Sequence, residues 1–196
     1  MEEKLLADDW KIEEIKGITD DLIQKFEQAK TTNPQDIDLL TSLGVLYFIK
    51  REYQSAVEHF QETLNIDPNN YLLWNKFGAA IAHLGQNEVA QQAYYKALDN
   101  KPNYVRAWVN LAMAHGSNRD YQNSVNFYLN ALALNPEANH IWSYLESSFI
   151  CSEDIDKIPM LRNKDVTVFS GMYDIINAKE MPVPENSSCN FFFYKI

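Results

Sequence analysis

Four side chains hold the chemistry that this sequence has to offer. Asn75 and Lys76 are neighbours, and Arg106 stands four residues before Asn110. An amide donates and accepts at once, which suits the unpaired N–H and C=O groups of an extended peptide. Opposite a carboxylate, a Lys or Arg contributes about 1.5–3 kcal/mol through each charge-assisted hydrogen bond. Such a set predicts recognition of a polypeptide with a free C-terminus or an acidic side chain. Bond-making chemistry has no comparable footing. The chain carries no Gly-rich phosphate loop, no nucleophile elbow and no metal-binding pair of histidines, so it reads as a non-enzyme. His59, His83, His115 and His140 share no helix at an i,i+4 spacing, so neither a metal site nor a cofactor is expected.

Bulk properties narrow the class of partner. The formal charge of −10 argues against nucleic acid, whose phosphates call for a basic face. Residues 1–36 hold ten acids and five bases, which reads as a solvated face. Against that acidic body, inward-facing cations stand out. The two cysteines, Cys151 and Cys189, form neither a ligand cluster nor a disulfide framework, a usage that suits a reducing, intracellular compartment. No run approaches the 18 apolar residues of a membrane span, and the N-terminus lacks the apolar stretch of a secretion signal.

The elements that position these groups are written in a period. Pro34, Pro68, Pro102 and Pro136 follow one another every 34 residues, and Trp74, Trp108 and Trp142 keep the same step, with Leu40 one step earlier. Three complete units result: 37–70, 71–104 and 105–138. Their seventh positions are Leu43, Phe77 and Leu111, and their eighth are Gly44, Gly78 and Ala112, small enough for two helices to approach closely. The twentieth positions are Ala56, Ala90 and Ser124, again small, and the twenty-fourth are the large Phe60, Tyr94 and Tyr128. Proline ends the second helix of each unit and opens the next turn. These offsets match the tetratricopeptide repeat, and predict an all-α, right-handed solenoid of helix-turn-helix pairs. In this pattern the three tryptophans are core groups, not stacking platforms.

Beyond the three units the period fades. Upstream, residues 1–36 read as a partial, distorted repeat, with an acidic helix over 3–15 and a second over 17–31. Downstream, 139–177 reads as a final repeat helix followed by short capping helices over 154–162 and 164–177, since the open end of a solenoid must be covered. The tail, 178–196, with Pro182, Pro184 and the run Phe191, Phe192 and Phe193, is expected to be mobile.

In such arrays the first helix of each pair lines the concave face. Its inner positions include Asp38, Thr41, Ser42 and Val45, then Leu72, Asn75, Lys76, Ala79 and His83. The third unit supplies Arg106, Val109, Asn110, Met113 and Ser117, and the last helix His140, Ser143 and Tyr144.

Several of these stretches are more specific than the repeat alone. Tyr-Leu-Leu-Trp-Asn-Lys-Phe-Gly-Ala (71–79), Tyr-Val-Arg-Ala-Trp-Val-Asn-Leu (104–111), Asn-His-Ile-Trp-Ser-Tyr-Leu (139–145) and Leu-Gly-Val-Leu-Tyr-Phe (43–48) resemble the peroxisomal import receptor, over roughly residues 17–176. That family reads cargo proteins ending in Ser-Lys-Leu or similar, an address recognised by a receptor. The resemblance implies that Asn75 and Asn110 bond the main chain of the signal, and that Lys76 and Arg106 attract its terminal carboxylate. A further family asparagine falls at Ser117, whose reach is shorter. It also implies cargo proteins as partners, peroxisomal docking proteins beyond them, and a cytoplasmic protein that cycles to the peroxisome.

The likeness is to the C-terminal tetratricopeptide part alone. The family has seven repeats, two groups of three joined by a distorted fourth, and this chain corresponds to the portion from near that fourth onward. The missing group supplies part of the wall around the last side chain of the cargo, so a truncated receptor with weak affinity is expected. Trp10 has neither Phe nor Tyr four residues on, so it does not match the family's Trp-x-x-x-Phe/Tyr docking motif. An alternative keeps the fold and changes the ligand: a scaffold or co-chaperone clamp that grips acidic C-terminal tails.

Overall fold

A computed structural model describes residues 2–176, with side chains from Gly17 onward. Among the described residues, eight α-helices follow one another as antiparallel pairs: α1 (Glu2–Thr32), α2 (Ile37–Ile49), α3 (Tyr53–Ile66), α4 (Tyr71–His83), α5 (Asn87–Asn100), α6 (Val105–Ser117), α7 (Tyr121–Leu134) and α8 (Asn139–Cys151). Two 3-10 segments, Ile155–Asn163 and Val166–Phe169, complete the order. The architecture is a right-handed tetratricopeptide α-solenoid in which α2/α3, α4/α5 and α6/α7 are helix-turn-helix pairs.

The period has a physical reason at each offset. Gly44 faces Phe60, and a Cβ built on it would collide with Cε1 of that ring. Gly78 faces Tyr94 in the same way, at 2.7 Å. Only glycine lets the paired helices come this close with a large ring between them. The tryptophans carry a second device. Trp74, Trp108 and Trp142 donate their indole N–H to the carbonyl oxygens of Pro68, Pro102 and Pro136 at 2.7, 2.7 and 2.9 Å. The leading helices α4, α6 and α8 are thereby latched to the turns that precede them. Asp36 and Asn70 cap α2 and α4 by accepting from the amides of Leu39 and Leu73 at 3.0 and 3.1 Å. Tyr104 and Ala138, at the same step, offer no such cap.

The turn inside every pair also repeats. Arg51, Gly85, Arg119 and Glu153, again 34 apart, all have positive φ, between 62° and 77°. Only Gly85 adopts that left-handed conformation without a steric cost.

The core runs along the solenoid in two connected stretches. One is centred on Phe60, Leu73, Tyr94 and Leu111. The other is centred on Leu132, Ile141, Leu145 and Phe149 and is closed by Phe169 and Tyr173. Phe149 and Phe169 stack with centroids 5.7 Å apart, and both are fully buried.

At the ends the structure departs from the pattern read in the sequence. Residues 3–15 and 17–31 do not form two helices; α1 runs unbroken from Glu2 to Thr32. Gly17 has nothing within 4 Å of a built Cβ, and no proline interrupts the helix, so Gly17 costs helix stability without ending it. The C-terminal half of α1 docks on the first full unit through Tyr47, which donates to Glu27 at 3.0 Å, and through the ion pairs Lys50–Asp20 (2.9 Å) and Lys30–Glu62 (2.6 Å).

At the other end, the predicted helix over 164–177 is replaced by the four-residue 3-10 turn at Val166–Phe169 and an irregular stretch after it. The left-handed Lys164 and Gly171 bracket that turn and prevent a longer helix. The stretch is held instead by Asn130, which is buried. Its Nδ2 donates to the Asp174 carbonyl at 3.1 Å, and its Oδ1 accepts the Ile176 amide at 2.7 Å. The expectation of a mobile tail over 178–196 lies outside the described residues.

Candidate peptide-binding groove

The leading helices α4 and α6 bring the predicted residues together. Asn75 comes from the middle of α4 and Asn110 from the middle of α6, and the Asn110 amide nitrogen donates to Asn75 Oδ1 at 3.0 Å. Asn75 is only 4% exposed, whereas Asn110 is half-buried at the surface above it. Asn110 Oδ1 accepts no hydrogen bond among the described residues.

Lys76 and Arg106 occupy the same neighbourhood, both half-buried. Burial holds the Lys76 ammonium below the ordinary lysine range, and the nearby positive charge of Arg106 lowers it further. Lys76 forms no ion pair with an acid among the described residues. The two like charges thus lie within coulombic reach of each other in a protein of net charge −10. Ser117, at the end of α6, is exposed, and its hydroxyl donates to the Met113 carbonyl at 3.0 Å, one turn back. Its oxygen keeps accepting capacity only.

The rest of the predicted concave set divides. Leu72, Met113 and Tyr144 are exposed. Val109 is 3% exposed and belongs to the core, as does the partly buried Val45. His83 is engaged elsewhere: its ring stacks on Tyr53 at 4.4 Å and meets the edge of Phe48 at 5.3 Å. His140 lies edge-on to Tyr144 at 5.9 Å. Among the described residues, no group of His, Cys, Asp and Glu is placed to hold a metal ion, and no helix is long and apolar enough to cross a membrane.

One residue of consequence, Asn130, escaped the sequence reading, and so did the depth of Asn75. Asn130 had no signal, because a buried amide on a trailing helix looks like any other repeat position. The burial of Asn75 was detectable: Val109, its equivalent one unit later, is apolar.

Known proteins share the repeat and the fold. Models of the tetratricopeptide repeat match residues 37–70 and 105–137. The peroxisomal targeting signal receptor of Kluyveromyces lactis is 30% identical over 152 residues, 71% of this chain and 27% of the receptor. The peroxisomal targeting signal 1 receptor of Dictyostelium discoideum is 35% identical over 151 residues, 77% of this chain and 23% of that protein. The chain thus spans about a quarter of the length of these curated relatives. Among solved structures, that of MamA superposes with a TM-score of 0.71 at 17% identity, covering 76% of this chain and 87% of MamA. The first tetratricopeptide domain of Spaghetti (RPAP3), bound to the HSP90 peptide SRMEEVD, gives 0.57 at 20% identity, covering 62% of this chain and 94% of that domain. At such identities these two likenesses concern the fold alone. The relatives above are receptors by name, and this chain is a tetratricopeptide-repeat solenoid related in sequence to the peroxisomal targeting signal receptors over most of its own length.

Proposed function

We propose that the chain binds the C-terminal signal of peroxisomal cargo proteins, of the Ser-Lys-Leu type, in the groove formed by α4 and α6. Asn75 and Asn110 serve the main chain of the signal, Lys76 and Arg106 its terminal carboxylate, and Ser117 accepts one further hydrogen bond. The protein works in the cytoplasm and cycles to the peroxisome, where docking proteins are its further partners.

The observation that carries this reading is the state of Lys76. Its ammonium is half-buried, has no acidic partner among the described residues and lies within range of a second cation. An arrangement of this kind costs stability in the free protein and is relieved when an anion arrives. A free C-terminus brings that charge together with main-chain N–H and C=O groups for the amides beside it. Micromolar affinity corresponds to about −8 kcal/mol, and the contacts must also offset the ordering of the peptide.

The test is fluorescence anisotropy with a labelled peptide ending in Ser-Lys-Leu and with the same peptide as its C-terminal amide. The free acid is expected to bind at least tenfold tighter, which is about 1.4 kcal/mol. Equal affinities would remove the carboxylate from the mechanism. The same two cations also suit acidic C-terminal tails of the kind gripped by co-chaperone clamps. If a Met-Glu-Glu-Val-Asp peptide outcompeted the Ser-Lys-Leu peptide in that titration, the clamp reading would replace the receptor reading.

A further inference from the structure

The two ends of the solenoid are held by different forces. At the C-terminal end the closing stretch shares the core, for Phe169 and Tyr173 lie in one buried cluster with Leu132 and Phe149. At the N-terminal end α1 adds no residue to either core stretch. Among the described residues of that helix, Ile23 is the one buried apolar side chain. What joins α1 to the first unit is charge. Lys50 pairs with Asp20 at 2.9 Å, and Lys30 with Glu62 on α3 at 2.6 Å. Between these pairs, Glu27 is a hub. Its Oε1 accepts from the Tyr47 hydroxyl at 3.0 Å and lies 3.2 Å from Nε2 of His59. The other ring nitrogen, Nδ1, is 2.8 Å from the Ser55 carbonyl oxygen, which can only accept, so Nδ1 carries a proton. Nε2 is sealed from solvent, and its contact with Glu27 is attractive while it is protonated too.

These pairs bridge residues 30 to 32 apart in the chain. Further along the solenoid, Lys96–Asp99 and Lys157–Asp154 close over three residues and tie no unit to the next. The carboxylates Asp20, Glu27 and Glu62 all remain partly open to water. Salt screens pairs of this kind and does not weaken apolar packing. We infer that α1 is a charge-latched arm: its Gly17–Thr32 part detaches from α2 and α3 as ionic strength rises, turning about the short link at 33–36, while the other joints stay closed. Detachment bares Tyr47 and His59. The groove between α4 and α6 takes no part in the latch, so this device is independent of the peptide-binding reading.

The experiment is hydrogen exchange of the full chain, followed by mass spectrometry, in NaCl from about 0.01 M to 1 M. Over that range the screening length falls from roughly 30 Å to 3 Å. Exchange in peptides covering 17–32 is expected to quicken by about fivefold, the effect of two or three exposed pairs, while 71–83 in α4 keeps its rate. An equal response in both segments, or none in 17–32, would overturn the inference. The second arm is the double variant Lys50→Gln and Glu62→Gln, two exposed positions on the first unit. Both lie outside α1, so the helix propensity of the arm is untouched and any effect must pass through the joint. At low salt the arm of this variant should exchange as fast as that of the parent at high salt. If it exchanges as slowly as the parent at low salt, the latch is not made of these charges and the inference fails.

Discussion

The ring of Tyr94 lies so close to the backbone of Gly78 that a single added carbon would sit 2.7 Å from its Cε1 atom. No carbon contact of that length is tolerated, and Tyr94 is 3% exposed with little room to retreat. Gly78→Ala is therefore expected to cost about 1–3 kcal/mol through overpacking, read as a lower midpoint in urea unfolding. Gly17→Ala makes the contrast. It meets nothing within 4 Å in the middle of α1, so it should stabilise by about 0.5–1 kcal/mol. Equal effects at the two sites would show that the close approach is not what selects glycine.

Lys76 sets stability against binding. Its folded-state pKa is lowered, by burial first and by Arg106 second. For a lysine so placed the unfolded chain holds its proton to higher pH than the folded one. Stability is thus reduced while Lys76 is charged, and is regained as pH rises through the lowered value toward 10.5. Lys76→Met keeps the stem and removes the charge. It should raise Tm by about 2–4 °C, the shift that 1 kcal/mol gives a chain of this size, while weakening the free-acid peptide. Peptide affinity of the parent protein should also fall on the alkaline side before an ordinary surface lysine would titrate. A variant that loses both stability and binding would contradict this account.

Arg51 and Arg119 share the left-handed conformation of Gly85 at the turns inside their units. A residue with a Cβ pays about 1–2 kcal/mol there, partly balanced by the smaller backbone entropy it loses on folding. Arg119→Gly should accordingly gain about 0.5–1 kcal/mol in denaturant unfolding. A loss would mean that the Arg119 side chain contributes more than its backbone costs.

Asn130 ties the C-terminal stretch to α7 through Asp174 and Ile176. Replacing it by alanine leaves those main-chain groups without their partner, at about 1–3 kcal/mol for a buried site. Hydrogen exchange at the Ile176 amide should accelerate far more than at amides in the middle of α4. Uniform acceleration across the protein would show that Asn130 supports the whole fold and not this stretch.

The solenoid was legible because its markers are residues with strong steric demands. Pro68, Trp74, Gly78 and Tyr94 each do something that few other types can, so their spacing is visible in the one-dimensional string. The left-handed turns were hidden, because the same backbone is held by Arg51, Arg119 and Glu153, and only Gly85 announces it. The unbroken α1 was hidden for the opposite reason: Gly17 looks like a break, but in open space it is merely a weak helix residue. At the groove, helical spacing brought the two asparagines and two cations to one face, and the structure brings them together. The spacing did not reveal their depth. Position five of a leading helix lies at the boundary between groove and core, and whether a side chain there sees ligand or protein depends on the neighbouring unit.

The indole latches have a bearing on how such a chain changes over time. Because each tryptophan fastens its own helix to the proline turn just ahead of it, the joint between successive units is closed by residues only six apart. Duplication or excision of either tryptophan-bearing unit, 71–104 or 105–138, carries that joint along intact. Lengthening the array requires no new fastening to be invented, and the groove can be extended or shortened without remaking the spine that bears it.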